Sequence, residues 1–161
     1  MSHDFFCRHE WLEASRRITH FKRLQETDEA MGYLIKNTAE FGNKLGALLF
    51  QLPPNMRCNL DRLKSFVDLI PEGVPATFEF RHLSWFDDSV FEVLRQRNIP
   101  VCHADGEDSS LPFEATADWG YLRLQKPRYD KRALNKWLKR ITDAGWKDAH
   151  VFFKHKDAGA G

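Results

Sequence analysis

What most constrains this chain is a repeating order: apolar, strand-like segments alternate with amphipathic segments of helical period at intervals of roughly 20 to 30 residues, as right-handed βαβ units of a parallel sheet require. Leu45-Gly46-Ala47-Leu48-Leu49-Phe50 runs apolar without alternation, the pattern of a strand covered on both faces, and Pro53 and Pro54 close it. Asn59 caps a helix carrying Leu60, Leu63, Phe66, Val67 and Ile70, which Pro71 ends. A strand over 74–81 follows, then a helix started by Asp87 and stopped by Asn98, a strand over 99–104, and a helix-poor stretch to Asp118. A strand over 119–124, a helix from Asp130 to Gly145 with Leu134, Trp137, Leu138 and Ile141 on one face, and a strand over 149–153 complete the series. Upstream, helical spacing covers 28–41 and Gly42 stops it. The class is α/β, with about five parallel strands from Leu45 onward. Periodicity leaves open whether they form an open doubly wound sheet or a piece of a (β/α)8 barrel, which typically takes about 250 residues.

The amino end admits two readings. Trp11, Ala14, Ser15, Ile18 and Phe21 suit an amphipathic helix, and Arg16-Arg17-Ile18-Thr19-His20-Phe21-Lys22-Arg23 equally suits a basic loop after a strand.

With 161 residues and 42% apolar content the chain has the size and composition of one ordinary globular domain. Twenty-four Lys and Arg stand against 23 Asp and Glu, so no net field points to a nucleic-acid or membrane partner. Cys7, Cys58 and Cys102 are widely spaced, which predicts reduced thiols and a cytoplasmic protein, with Cys102 buried. No apolar run reaches membrane-spanning length, and residues 1–10 lack the order of a secretory signal. There is no GxGxxG after the first strand and no P-loop, so nothing names a nucleotide cofactor.

Charge and aromaticity concentrate at Glu79-Phe80-Arg81-His82-Leu83-Ser84-Trp85, between an apolar strand and a helix. A period of two sets Glu79 and Arg81 on one face at the carboxyl end of that strand, where βα units carry their sites. A local ion pair with His82 and Trp85 packed around it accounts for any one of these residues as well as a ligand contact does.

Ile18-Thr19-His20-Phe21-Lys22-Arg23-Leu24, Gln51-Leu52-Pro53-Pro54, Phe78-Glu79-Phe80-Arg81-His82 with Ser84-Trp85, Ala104-Asp105, Tyr121-Leu122-Arg123-Leu124, and Phe152-Phe153-Lys154-His155 with Asp157 together resemble the YecE-like family, domain of unknown function 72. The resemblance runs from about Arg16 to the carboxyl end, leaving 1–15 outside the family pattern. It implies a single, partial TIM barrel whose five strands are the fourth through eighth, and it supplies no reaction, substrate or cofactor. The two opening strand segments of the family, one Gly- and Trp-rich and one with an Asn-Ser-Thr-Phe-Tyr-like run, do not occur in this sequence, Gln125-Lys126 stands where His-Gly is usual, and Gly161 falls where a last barrel helix would start.

Barrel sites form at the carboxyl ends of strands, which makes Gln51, Glu79, Arg81, His82, Trp85, His103, Asp105, Arg123, Lys154, His155 and Asp157 the relevant set, joined by Thr19 and His20 if the basic loop follows a strand. Among them Glu79, His82 and Asp105 are the acid–base candidates, and Arg81, Trp85, Arg123, Lys154, His155, Gln51 and His20 are the candidates for substrate contact. No recognised metal-ligand spacing occurs. Two functions are expected from this set: an enzyme or binder acting on a phosphate-bearing or nucleic-acid-derived ligand, or a non-catalytic remnant, unstable or completed by another polypeptide. Whether the chain is an enzyme stays undecided. The second reading adds self-association through open edges at the Leu45 and Ala149 strands.

Overall fold

The computed structural model describes residues 10–105 and 111–153. Six strands and four α-helices succeed one another as β1 (Glu10–Glu13), α1 (Asp28–Thr38), β2 (Leu45–Gln51), α2 (Leu60–Asp68), β3 (Ala76–Glu79), α3 (Asp88–Gln96), β4 (Cys102–Ala104), β5 (Trp119–Leu124), α4 (Lys131–Asp143) and β6 (Asp148–Phe153). They form two three-stranded sheets, β1-β2-β3 and β4-β5-β6, in which every pairing is parallel. A parallel bridge between Phe78 and Val101 joins the sheets.

The helix boundaries follow the capping chemistry legible in the sequence. Asn59, Asp87 and Asp130 each accept a backbone N–H of the helix they precede, and Asn98 and Gly145 adopt positive φ just beyond the helix ends. α1 is shorter than the spacing predicts: it ends at Thr38 and tightens into a 3-10 turn over Ala39–Lys44, in which Gly42 at φ +48° breaks the helical path. At the amino end the basic loop is the reading observed. Trp11 and Leu12 pair with β2 as a strand, and the Arg17–Phe21 segment that follows is a π-helical turn, not part of a longer amphipathic helix. The Leu45 strand is therefore internal, and the edge expected there lies at β1.

Alternation divides the side chains between two cores. Leu48, Phe50, Phe78 and Val101 face α2 and α3, where Phe50 stacks on Phe78 at 5.3 Å and meets Phe66 edge-on at 5.1 Å. Burial of such rings, about 1.5–3 kcal/mol per side chain, is the main force fixing the helices on the sheet. On the opposite face Ala47, Leu49, Cys102 and Tyr121 pack with Trp11, Trp119 and Phe152.

That second face is concave. β1 and β6 stand five strand spacings apart, about 24 Å on a flat sheet, yet the rings of Trp11 and Phe152 lie 4.8 Å apart and Trp11 meets Tyr121 at 5.2 Å. Gly46 makes the approach of Trp11 feasible, because a Cβ there would fall 2.6 Å from the indole. Among the described residues no helix is long and apolar enough to cross a membrane.

Candidate functional site

Six parallel strands present their carboxyl ends at one rim of the concave face, and the inward-pointing residue near each end is polar on β1, β2, β3 and β5: Glu13, Gln51, Glu79 and Arg123. Their centre is Glu79, a carboxylate only 2% exposed. Its Oε1 accepts from Arg81 Nε at 2.9 Å, and its Oε2 is paired with Arg123 Nη1. Gln51 Oε1 also accepts from both arginines, at 3.3 Å from Arg81 Nη2 and 3.0 Å from Arg123 Nη1. The Cys102 thiol points at Glu79 Oε2 from 3.8 Å, and Glu13 lies 3.9 Å from Arg123 Nη2. Two guanidiniums are thereby fixed against one carboxylate and one amide. The Arg81 side chain remains 38% exposed and the Arg123 side chain 10%.

With both oxygens occupied by guanidinium hydrogen bonds, Glu79 positions the arginines and is poorly placed to take a proton from a ligand. Burial raises the Cys102 thiol well above its ordinary value, as does the charge of Glu79, so it stands here as a neutral donor. Burial likewise pushes the phenol of Tyr121, just below the rim, upward.

His20 belongs to the same neighbourhood. Thr19, itself buried, hydrogen-bonds His20 Nδ1 at 2.8 Å. Burial lowers the imidazole's affinity for a proton, Arg16, Arg81 and Arg23 lower it further, and Glu13 opposes them. The loop beyond it carries three of the described non-glycine residues with positive φ, Arg23, Leu24 and Glu26. Such conformations cost on the order of 1 kcal/mol each and concentrate where a surrounding structure holds them.

Asp105 is buried at the end of β4 and is tied to the β5–α4 loop, accepting from the Gln125 N–H at 2.6 Å and from the Tyr129 hydroxyl at 2.6 Å. Its carboxylate anchors this loop, and its backbone N–H donates to the Arg123 carbonyl at 3.2 Å. His82 is half-buried and works locally: its Nδ1 accepts from the Ser84 N–H at 3.1 Å and contacts the Ser84 hydroxyl at 2.8 Å.

Two expectations are corrected. Trp85 does not reach the rim: its ring is fully buried against Phe80 at 4.9 Å, and its Nε1 donates to the Met56 carbonyl at 2.7 Å, because the 3-10 turn over Leu83–Trp85 folds it back under the strand. His103 lies on the outer face of β4, one residue out of step with the inner face. There it stacks on Phe113 at 4.2 Å, meets the Glu114 carbonyl at 2.9 Å, and is pushed down to about 4 by burial. Lys154, His155 and Asp157 lie outside the described residues. Glu13 and Cys102 are not among the expected rim contacts. The alternation on β4 was the signal for Cys102, whereas Glu13 required β1 to be recognised as a strand.

Such an arrangement defines an α/β protein with a polar rim at the carboxyl ends of a curled set of parallel strands. The chain belongs to the family described as protein of unknown function DUF72, whose model matches residues 11–161, in agreement with the YecE-like resemblance. Its fold is similar to that of a DUF72 family protein from Thermotoga maritima, with a TM-score of 0.76 at 19% identity, over 91% of this chain and 66% of that one. Two crystal structures of a DUF72 family protein from Enterococcus faecalis are also similar, with TM-scores of 0.67 and 0.59 at 13% and 17% identity, over 81% and 88% of this chain. The chain spans 66%, 60% and 64% of these three solved chains. No curated protein matches.

Proposed function

We propose that the curled strands are the third through eighth of a (β/α)8 barrel and that the barrel mouth binds a phosphate-bearing or nucleic-acid-derived ligand. Arg81 and Arg123 are the primary contacts, Gln51 and Glu79 hold them, and His20 borders the site. The single observation that carries this reading is the shared anchoring of two guanidiniums, on Glu79 and on the one oxygen of Gln51, with Arg81 still open to solvent. Guanidinium forks fixed in this way match the oxygens of a phosphate and need no reordering when one arrives. His82 and Asp105 would stand at its border, the latter by holding the loop that Tyr129 closes.

Titration of the full chain with inorganic phosphate and with a mononucleotide, followed by NMR, tests the reading. Chemical-shift changes should centre on Arg81 and Arg123 and be lost in Arg81→Ala. No change at tens of millimolar ligand would sink it.

A second reading has its own observation. None of the α4 residues is buried, and Leu138 on α4 and Phe153 at the end of β6 are 60% and 51% exposed. This suits a chain completed by another polypeptide or by a second copy, with no catalysis of its own.

A further inference from the structure

Among the described residues of the rim, His20 can change its charge near neutral pH in surroundings that are already cationic. His20 sits on the π-helical turn after β1, with Nδ1 hydrogen-bonded to the buried Thr19 hydroxyl at 2.8 Å. The charges that bear on it are Arg16 and Arg23 from its own loop, Arg81 from the end of β3, and Glu13 from the end of β1. A further positive charge beside these arginines is unfavourable while the mouth is empty. An oxyanion held by Arg81 reverses that balance, because it cancels the local repulsion and accepts a hydrogen bond from the ring.

Resting on the proposed anion site, we infer that His20 is a proton-coupled ligand contact: neutral in the empty site, it takes up one proton from solvent when a doubly charged oxyanion binds, and its Nε2–H then faces the ligand. Thr19 accommodates both states. Its hydroxyl donates to Nδ1 of the neutral ring and, after turning, accepts from Nδ1–H of the charged one. Oxyanions carrying two charges are therefore preferred over singly charged ones, and binding strengthens as pH falls.

Sulfate is the probe, since it does not titrate between pH 5 and 8. The His20 ring resonances of the full chain are followed against pH with and without sulfate, and sulfate affinity is measured at both ends of that range. Sulfate should move the His20 midpoint upward, with about tenfold tighter binding at the acidic end for each pH unit the midpoint moves. In His20→Gln that pH dependence should vanish.

If sulfate perturbs Arg81 but the His20 midpoint stays in place, or the midpoint of His82 moves instead, the inference fails and the anion site stands. It fails in the same way if His20→Gln retains the pH dependence. If Arg81 shows no response to sulfate at any pH, the anion site itself fails and the inference falls with it.

Discussion

Glu79 is nearly closed to water and pairs with two guanidiniums, so removing its charge leaves the buried Arg123 with only Gln51 and the more distant Glu13 nearby. Loss of one partner of a buried pair typically costs about 3–5 kcal/mol. Glu79→Gln should lower stability in urea by an amount at the low end of that range, since the amide retains one hydrogen-bond acceptor. His103 supplies a separate pH dependence. Its folded-state value, about 4, lies below the ordinary 6.5, so the unfolded chain takes up the proton first. Stability should therefore fall as pH drops from 6.5 toward 4, by about 3 kcal/mol across the window. The urea midpoint measured against pH reads this directly, and His103→Asn should flatten the curve.

Among the elements, the β5–α4 connection is held by side chains more than by packing. Tyr129→Phe removes the hydroxyl that Asp105 accepts and leaves a buried carboxylate oxygen short of a partner. It should cost about 1–2 kcal/mol and speed hydrogen exchange at Gln125 and Lys126, the two amides of this latch. Gly120 shows how tightly β5 meets its cover: a Cβ there would lie 2.1 Å from the Trp146 ring. Gly120→Ala should destabilise by about 1–3 kcal/mol, read by thermal unfolding. Period and capping made these elements legible in advance, because Asn59, Asp87 and Asp130 act through neighbours two or three residues away. The same holds for Glu79 with Arg81, two positions apart. Arg123 meeting Gln51 across 72 positions was legible only as shared membership of one rim, since the bond depends on how far the sheets curl. Trp85 misled for a related reason: a residue just past a strand end can turn toward solvent or back beneath the sheet, and the available Met56 carbonyl and Phe80 ring decided it.

At the scale of the whole molecule, large apolar side chains are exposed at Phe21, Tyr33 and Leu83 as well as on the last described elements. Leu138 and Phe153 remain open, whereas α2 and α3 each bury three apolar side chains. Sedimentation over a range of concentrations should show association if a second copy covers this region, and Leu138→Glu should reduce it while changing stability by less than about 0.5 kcal/mol. Throughout the concentration range a single unassociated species would count against completion by a second copy.

The joint between the sheets has a mechanical consequence. β3 and β4 share the Phe78–Val101 bridge and the contact of Thr77 with the Pro100 carbonyl, far less than the ladders on either side. Glu79 and Arg123 stand on opposite sides of that joint. Their ion pair is thus a clasp across a fault line, and pulling the two ends of the chain apart should split the molecule there first, dismantling the mouth before either half loses its strands.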